Sequence, residues 1–175
     1  MIHESLWLAQ ELGATACVFH LWDTWKESFE PAFLQAVVNE IAPLYPRVKA
    51  AIENVPTHLA GATPFALLKA HEWITLDLRW AALYDEFWQY EMLLPKVVNV
   101  HLTGMLGKDG RFSLNPAWFP PGHRPFTFNE ALQTICSQWH YTGPLTVELY
   151  PLPETTWSNL VEAMQQLRRD ILDAN

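Results

Sequence analysis

Five short apolar runs, each carrying an ionisable side chain near its C-terminal end, constrain this chain more than anything else in it. They are Ala16–Leu21 (ACVFHL), Val48–Val55 (VKAAIENV), Trp73–Trp80 (WITLDLRW), Lys96–Thr103 (KVVNVHLT) and Leu145–Tyr150 (LTVELY). They are near-continuously apolar and do not alternate with surface polar groups, which is the signature of strands covered on both faces. Helical patterns separate them. Residues 3–12 form one, stopped by Gly13, and Pro31–Leu44 another, with Phe33, Leu34, Val37, Val38 and Ile41 at three- and four-residue steps. Pro64–His71 starts on a proline, Tyr84–Leu94 is rich in aromatics, and Thr127–Trp139 has Thr127 or Asn129 as its cap. Thr155–Leu172 is amphipathic, with Leu160, Met164, Leu167 and Ile171 on one face. This order predicts an α/β fold with a parallel sheet under helices. At 175 residues, half of them hydrophobic, the chain suits a single domain spanning 1–175.

Residues 104–125 break the pattern with four Gly and four Pro, and a loop of that length in a compact domain is usually functional. The net charge of −8, with no basic run, argues against nucleic acid as the partner. No apolar stretch is long enough for a membrane span, and the first residues lack the basic start and apolar stretch of a signal peptide. Cys17 and Cys136 share no metal-binding spacing and read as reduced thiols of a cytoplasmic protein.

The chemistry sits where the strands end. Side chains alternate across a strand, so Ala51 and Glu53, Thr75 and Asp77, Asn99 and His101, and Thr146 and Glu148 each share one face. Ile52, Leu76, Val100 and Val147 face the helices instead. Every polar set then points into the sheet's concave side, with its last member near the C-terminal end, where parallel barrels carry their active sites. Burying one carboxylate there costs several kcal/mol, and three converging carboxylates repel one another. A divalent cation removes both difficulties. One imidazole nitrogen with three carboxylates suits Mn²⁺, Mg²⁺ or Co²⁺ better than Zn²⁺. A single such acid is usually a helix cap or an ion-pair partner; matching positions on four successive strands favour a shared metal site.

The motifs IENVP, TLDLRW, VNVHLTG and YTGPLTVELYP, in that order, resemble the xylose-isomerase-like superfamily. Its members include sugar-phosphate isomerases, ketose 3-epimerases, hydroxypyruvate-isomerase-like enzymes and endonuclease-IV-type DNA repair enzymes. The first run, CVFHLW, is similar to the family's fourth strand, so the resemblance covers nearly the whole chain. It implies a (β/α)₈ TIM barrel represented by its fourth to eighth strands, with Glu53, Asp77, His101 and Glu148 as metal ligands. It further implies that the metal holds two oxygens of a small sugar, sugar phosphate or sugar acid. Glu53 and Glu148 would then move a proton between adjacent carbons through an enediolate. His20, Trp22, Arg79 and Trp80 are candidates for lining the substrate pocket.

The chain also departs from that pattern. Trp80 stands where the family often has a His three residues after the Asp ligand, and Gly104 where it often has an Asp after the His ligand. Both losses weigh against a DNA-repair metal cluster. Gly107 occupies the place of an Arg common in the 3-epimerases; Lys108, Arg111, His123 or Arg124 could replace it. With five strands of eight, the sheet should be open. The polypeptide is then a fragment or truncated product, or chains associate to cover the gap. The function expected is that of an isomerase or epimerase. A non-catalytic remnant of the fold and a phosphodiesterase are the alternatives.

Overall fold

The computed structural model describes residues 1–22, 29–150 and 157–174. Five parallel strands run β1 (Ala16–Phe19), β2 (Lys49–Glu53), β3 (Trp73–Asp77), β4 (Val97–Leu106) and β6 (Leu145–Tyr150), adjacent in that order. A two-residue strand β5 (Phe112–Ser113) turns back antiparallel on the end of β4, so the loop after His101 begins as a hairpin. Helices α1 (Ile2–Glu11), α2 (Pro31–Ile41), α3 (Pro64–Leu68), α4 (Leu78–Leu83), α5 (Phe128–Gln133) and α6 (Trp157–Ala174) accompany the strands.

The helix-facing residues of the central strands, Ile52, Ile74, Leu76, Val100 and Leu102, are completely or almost completely buried. At about 2 kcal/mol for each such side chain, this layer is a main source of the fold's stability. On α6 Ala163 and Leu167 are buried, while Met164, expected on the same face, is exposed. The start expected for this helix, Thr155, lies outside the described residues. The aromatic stretch before β4 is a 3₁₀ helix, Phe87–Lys96, and α5 continues into a π-helical turn, Thr134–Gln138.

Two local features set the geometry of the concave face. The first is that β3 ends at Asp77 and does not continue to Trp80. The Asp77 carboxylate accepts the Trp80 backbone N–H at 3.0 Å and so starts α4 on the next residue. The second is a slip of one residue between β3 and β4: Ile74 lies opposite Val97, but Thr75 lies opposite Asn99. Beyond the slip, Asp77 stands level with His101, His101 with Thr146, and Thr103 with Glu148. Among the described residues, β1 and β6 each pair with one neighbour, and the sheet does not close. All four residues of β1 are half-buried, and Thr146 and Glu148 of β6 are exposed. No described helix is long and apolar enough to cross a membrane.

Candidate metal centre

The inward residues at the strand ends meet. Glu53, Asp77 and His101 are all buried, and each offers a ligand atom within 4.8 Å of the others. His101 Nδ1 lies 3.3 Å from Glu53 Oε2 and 3.0 Å from Glu148 Oε1. Glu148 lies beside this group, in contact with His101 but outside the mutual 4.8 Å, and is exposed: its side chain is 47% accessible against 4% for Glu53. The sheet edge explains the difference: among the described residues β6 pairs on one side, and its Thr146 is exposed too although it is level with buried His101. His20, at the end of β1, donates from Nε2 to Glu53 Oε2 at 3.1 Å and has a mostly exposed side chain.

The electrostatics are those of a site rich in negative charge. Burial alone would raise the Glu53 carboxyl, but His101 and His20 outweigh it and bring it to about 2. Burial dominates at Asp77 and raises it to about 7, opposed by the Thr103 hydroxyl and the Trp80 N–H and reinforced by Glu53 and Glu148. His101 is raised although burial works against it, because Glu53, Glu148 and Asp77 all surround it. His20 is raised chiefly by its hydrogen bond to Glu53.

A divalent cation fits this donor set. His101 Nδ1 is buried and makes no hydrogen bond, although carboxylate oxygens of Glu53 and Glu148 stand 3.3 and 3.0 Å from it. A ring nitrogen facing several carboxylate oxygens without a hydrogen bond is arranged as a metal ligand is. Asp77 Oδ1 is occupied by the α4 cap, and Oδ2 accepts the Thr103 hydroxyl. Asp77 is thus both a helix cap and a member of the cluster.

The remaining candidates lie around this group in different ways. The Arg79 guanidinium stacks 4.2 Å over the Trp80 ring and 5.5 Å over Trp118, and Trp80 is half-buried. Trp22 is buried in the core; its indole N–H donates to the Val55 carbonyl at 2.7 Å and its ring stacks on Phe29. Of the loop cations, Arg124 stacks on Trp88 at 4.4 Å. A Cβ at Gly104 would fit tightly, 3.1 Å from the Phe128 ring and 3.3 Å from the Ser113 carbonyl.

Two residues of the site escaped the sequence reading. Asn54, fully buried, pairs with the Asp77 backbone: its Nδ2 donates to the carbonyl at 3.0 Å, and its Oδ1 accepts the N–H at 2.6 Å. Strand alternation places Asn54 on the opposite face from Glu53, which hid it. Thr103 could have been found by carrying the two-residue step beyond His101 as well as before it.

No protein-family model matches the sequence, and no curated protein sequence matches it. Among solved structures, that of an L-ribulose 3-epimerase is similar, with a TM-score of 0.68 at 12% sequence identity. The similarity covers 99% of this chain and 66% of that one, so the chain spans just under two thirds of the enzyme's length. The fold is that of part of a TIM barrel. The partial barrel carries its acidic cluster at the C-terminal ends of its strands, the face where such barrels place active sites.

Proposed function

We propose that this partial barrel is the metal-bearing part of a divalent-metal-dependent isomerase or epimerase acting on a small sugar, sugar phosphate or sugar acid. The observation that carries the reading is the convergence of Glu53, Asp77 and His101 in a buried cluster, with Glu148 3.0 Å from His101. The four would be the ligands, and the oxygen-rich set favours Mn²⁺, Mg²⁺ or Co²⁺ over Zn²⁺. The similar structure is of an enzyme that acts on L-ribulose, which supports a carbohydrate substrate.

A bound divalent cation would polarise the sugar carbonyl and acidify the neighbouring C–H. The chain's own residues would do the rest. Glu53, kept anionic at neutral pH beside His101 and His20, would take the role of base. Glu148 approaches from the opposite side of His101 on an exposed strand and would take the partner role of acid. His20 would keep Glu53 oriented at the rim. Arg79 and Trp80 would border the substrate. Trp22 would support the wall from the core, since it is buried. Two free cysteines and an acidic surface suit a cytoplasmic enzyme.

The test is to titrate the purified chain with Mn²⁺ by calorimetry and to follow C3 epimerisation and aldose–ketose exchange on a panel of pentuloses and hexuloses. Stoichiometric binding that is lost in His101→Ala, together with turnover of one ketose, is the outcome the reading requires. Absence of Mn²⁺, Mg²⁺ and Co²⁺ binding would sink it. The open side of the sheet, where Glu148 is nearly half exposed, favours one alternative: a remnant that keeps its ligands without catalysis. Tight metal binding with no turnover of any ketose would select that alternative.

A further inference from the structure

Resting on the metal-site reading above, we propose that Thr103 is a positioning residue. Its hydroxyl, working with the Asn54 amide, holds the Asp77 carboxylate in ligand orientation before any cation binds.

Asp77 is fixed by four hydrogen bonds. Its backbone N–H and C=O are both taken by the Asn54 side chain, at 2.6 and 3.0 Å. Its Oδ1 accepts the Trp80 N–H at 3.0 Å, and its Oδ2 accepts the Thr103 hydroxyl. With a donor on each oxygen the carboxylate cannot turn about its terminal torsion, a rotation that is otherwise broad. Its remaining lone pairs are left for the cluster formed with Glu53 and His101. Asn54 follows Glu53 directly in the chain, so the same amide that clamps Asp77 also sets the spacing between those two carboxylates.

Thr103 reaches this position through the register. It lies two residues beyond His101, hence on the same face, and is level with Glu148 on the neighbouring strand. Its Oγ1 is buried and also lies 3.4 Å from Glu148 Oε2. A hydroxyl has one proton, and the closer contact gives it to Asp77; Glu148 is held instead through its 3.0 Å contact with His101. The hydroxyl therefore presets Asp77 and not Glu148.

The experiment compares Mn²⁺ affinity and thermal unfolding of the metal-free chain for wild type, Thr103→Val and Thr103→Ser. Valine keeps the shape and removes the donor. Mn²⁺ affinity should fall by about 10–100-fold, the usual effect of losing a group that orients a metal ligand, while the unfolding midpoint of the metal-free chain stays close to wild type. Serine, which keeps the hydroxyl, should restore most of the affinity. Unchanged affinity in Thr103→Val, or serine binding as weakly as valine, overturns the inference while leaving the metal site standing. A wild-type chain that binds no divalent cation overturns both. If Thr103→Val folds poorly, Thr103→Ala removes the same hydroxyl without a branched side chain, and the same outcomes decide.

Discussion

Acid should destabilise this chain through a residue remote from the metal cluster, the buried His71. It lies just before β3, its Nδ1 has no hydrogen-bond partner, and its backbone carbonyl accepts the Lys96 ammonium at 2.9 Å. Burial, reinforced by the Lys96 charge, lowers its pKa from 6.5 to about 4. The protonated form is therefore disfavoured in the folded state, and the unfolded chain binds the proton more readily. Stability from this residue is present in full above pH 6.5 and is lost as the pH falls toward 4. Linkage with those two values gives a loss of about 2 kcal/mol at pH 5 and at most about 3 kcal/mol below pH 4. Replacing His71 by Phe keeps an aromatic ring, removes the titration, and strands no partner of Nδ1. Urea unfolding of both proteins at pH 7.5 and 5.0 isolates the effect from that of the carboxylates. Wild type should lose about 2 kcal/mol more than His71→Phe across this interval. Parallel losses in the two proteins would refute the reasoning and mean that His71 is protonated without cost in the folded state.

Three further outcomes are expected. Glu148→Gln should weaken Mn²⁺ binding in calorimetry and lower ketose turnover by about 10²–10⁴-fold, as for loss of a general acid or base; full activity would make Glu148 a structural carboxylate. Thr127→Ala removes one half of the capping box with Glu130, whose bonds are 3.1 and 2.6 Å, and should cost about 1 kcal/mol in denaturant unfolding. The half-buried apolar residues of β1 and β6, each paired on one side, should drive self-association of the isolated chain. Sedimentation at tens of micromolar that gives a single cooperative monomer would contradict this.

The α/β class and the candidate site were legible because both rest on short-range periodicity. Short apolar runs such as WITLD and VVNVH, set between helical patterns, read as strands covered on both faces, and the two-residue step selects Glu53, Asp77, His101 and Glu148 without any structure. Thr127 could be recognised as a cap because its partner Glu130 is three residues away. Asp77 was legible as a potential ligand but not as the cap that ends β3. Choosing between the two roles depends on where the following residues pack, and the run LRW is apolar enough for either strand or helix. The β5 hairpin within the long loop depends on pairing with the end of β4 in the same way.

Alternation says which residues of one strand share a face, but not which face that is relative to the next strand. The slip of one residue between Ile74–Thr75 and Val97–Asn99 makes that choice and turns His101 to the side of Asp77. Without it, Val98 and Val100 would occupy the concave face opposite Thr75 and Asp77. The level of Thr103 against Glu148, and hence the hydroxyl that holds Asp77, follows from the β4–β6 register in the same manner. Which residues have the chemistry is therefore written in the chain's local pattern. How they meet is decided by pairing between strands more than twenty residues apart. Such pairing is set by packing of the whole sheet, and no periodicity within a single segment encodes it.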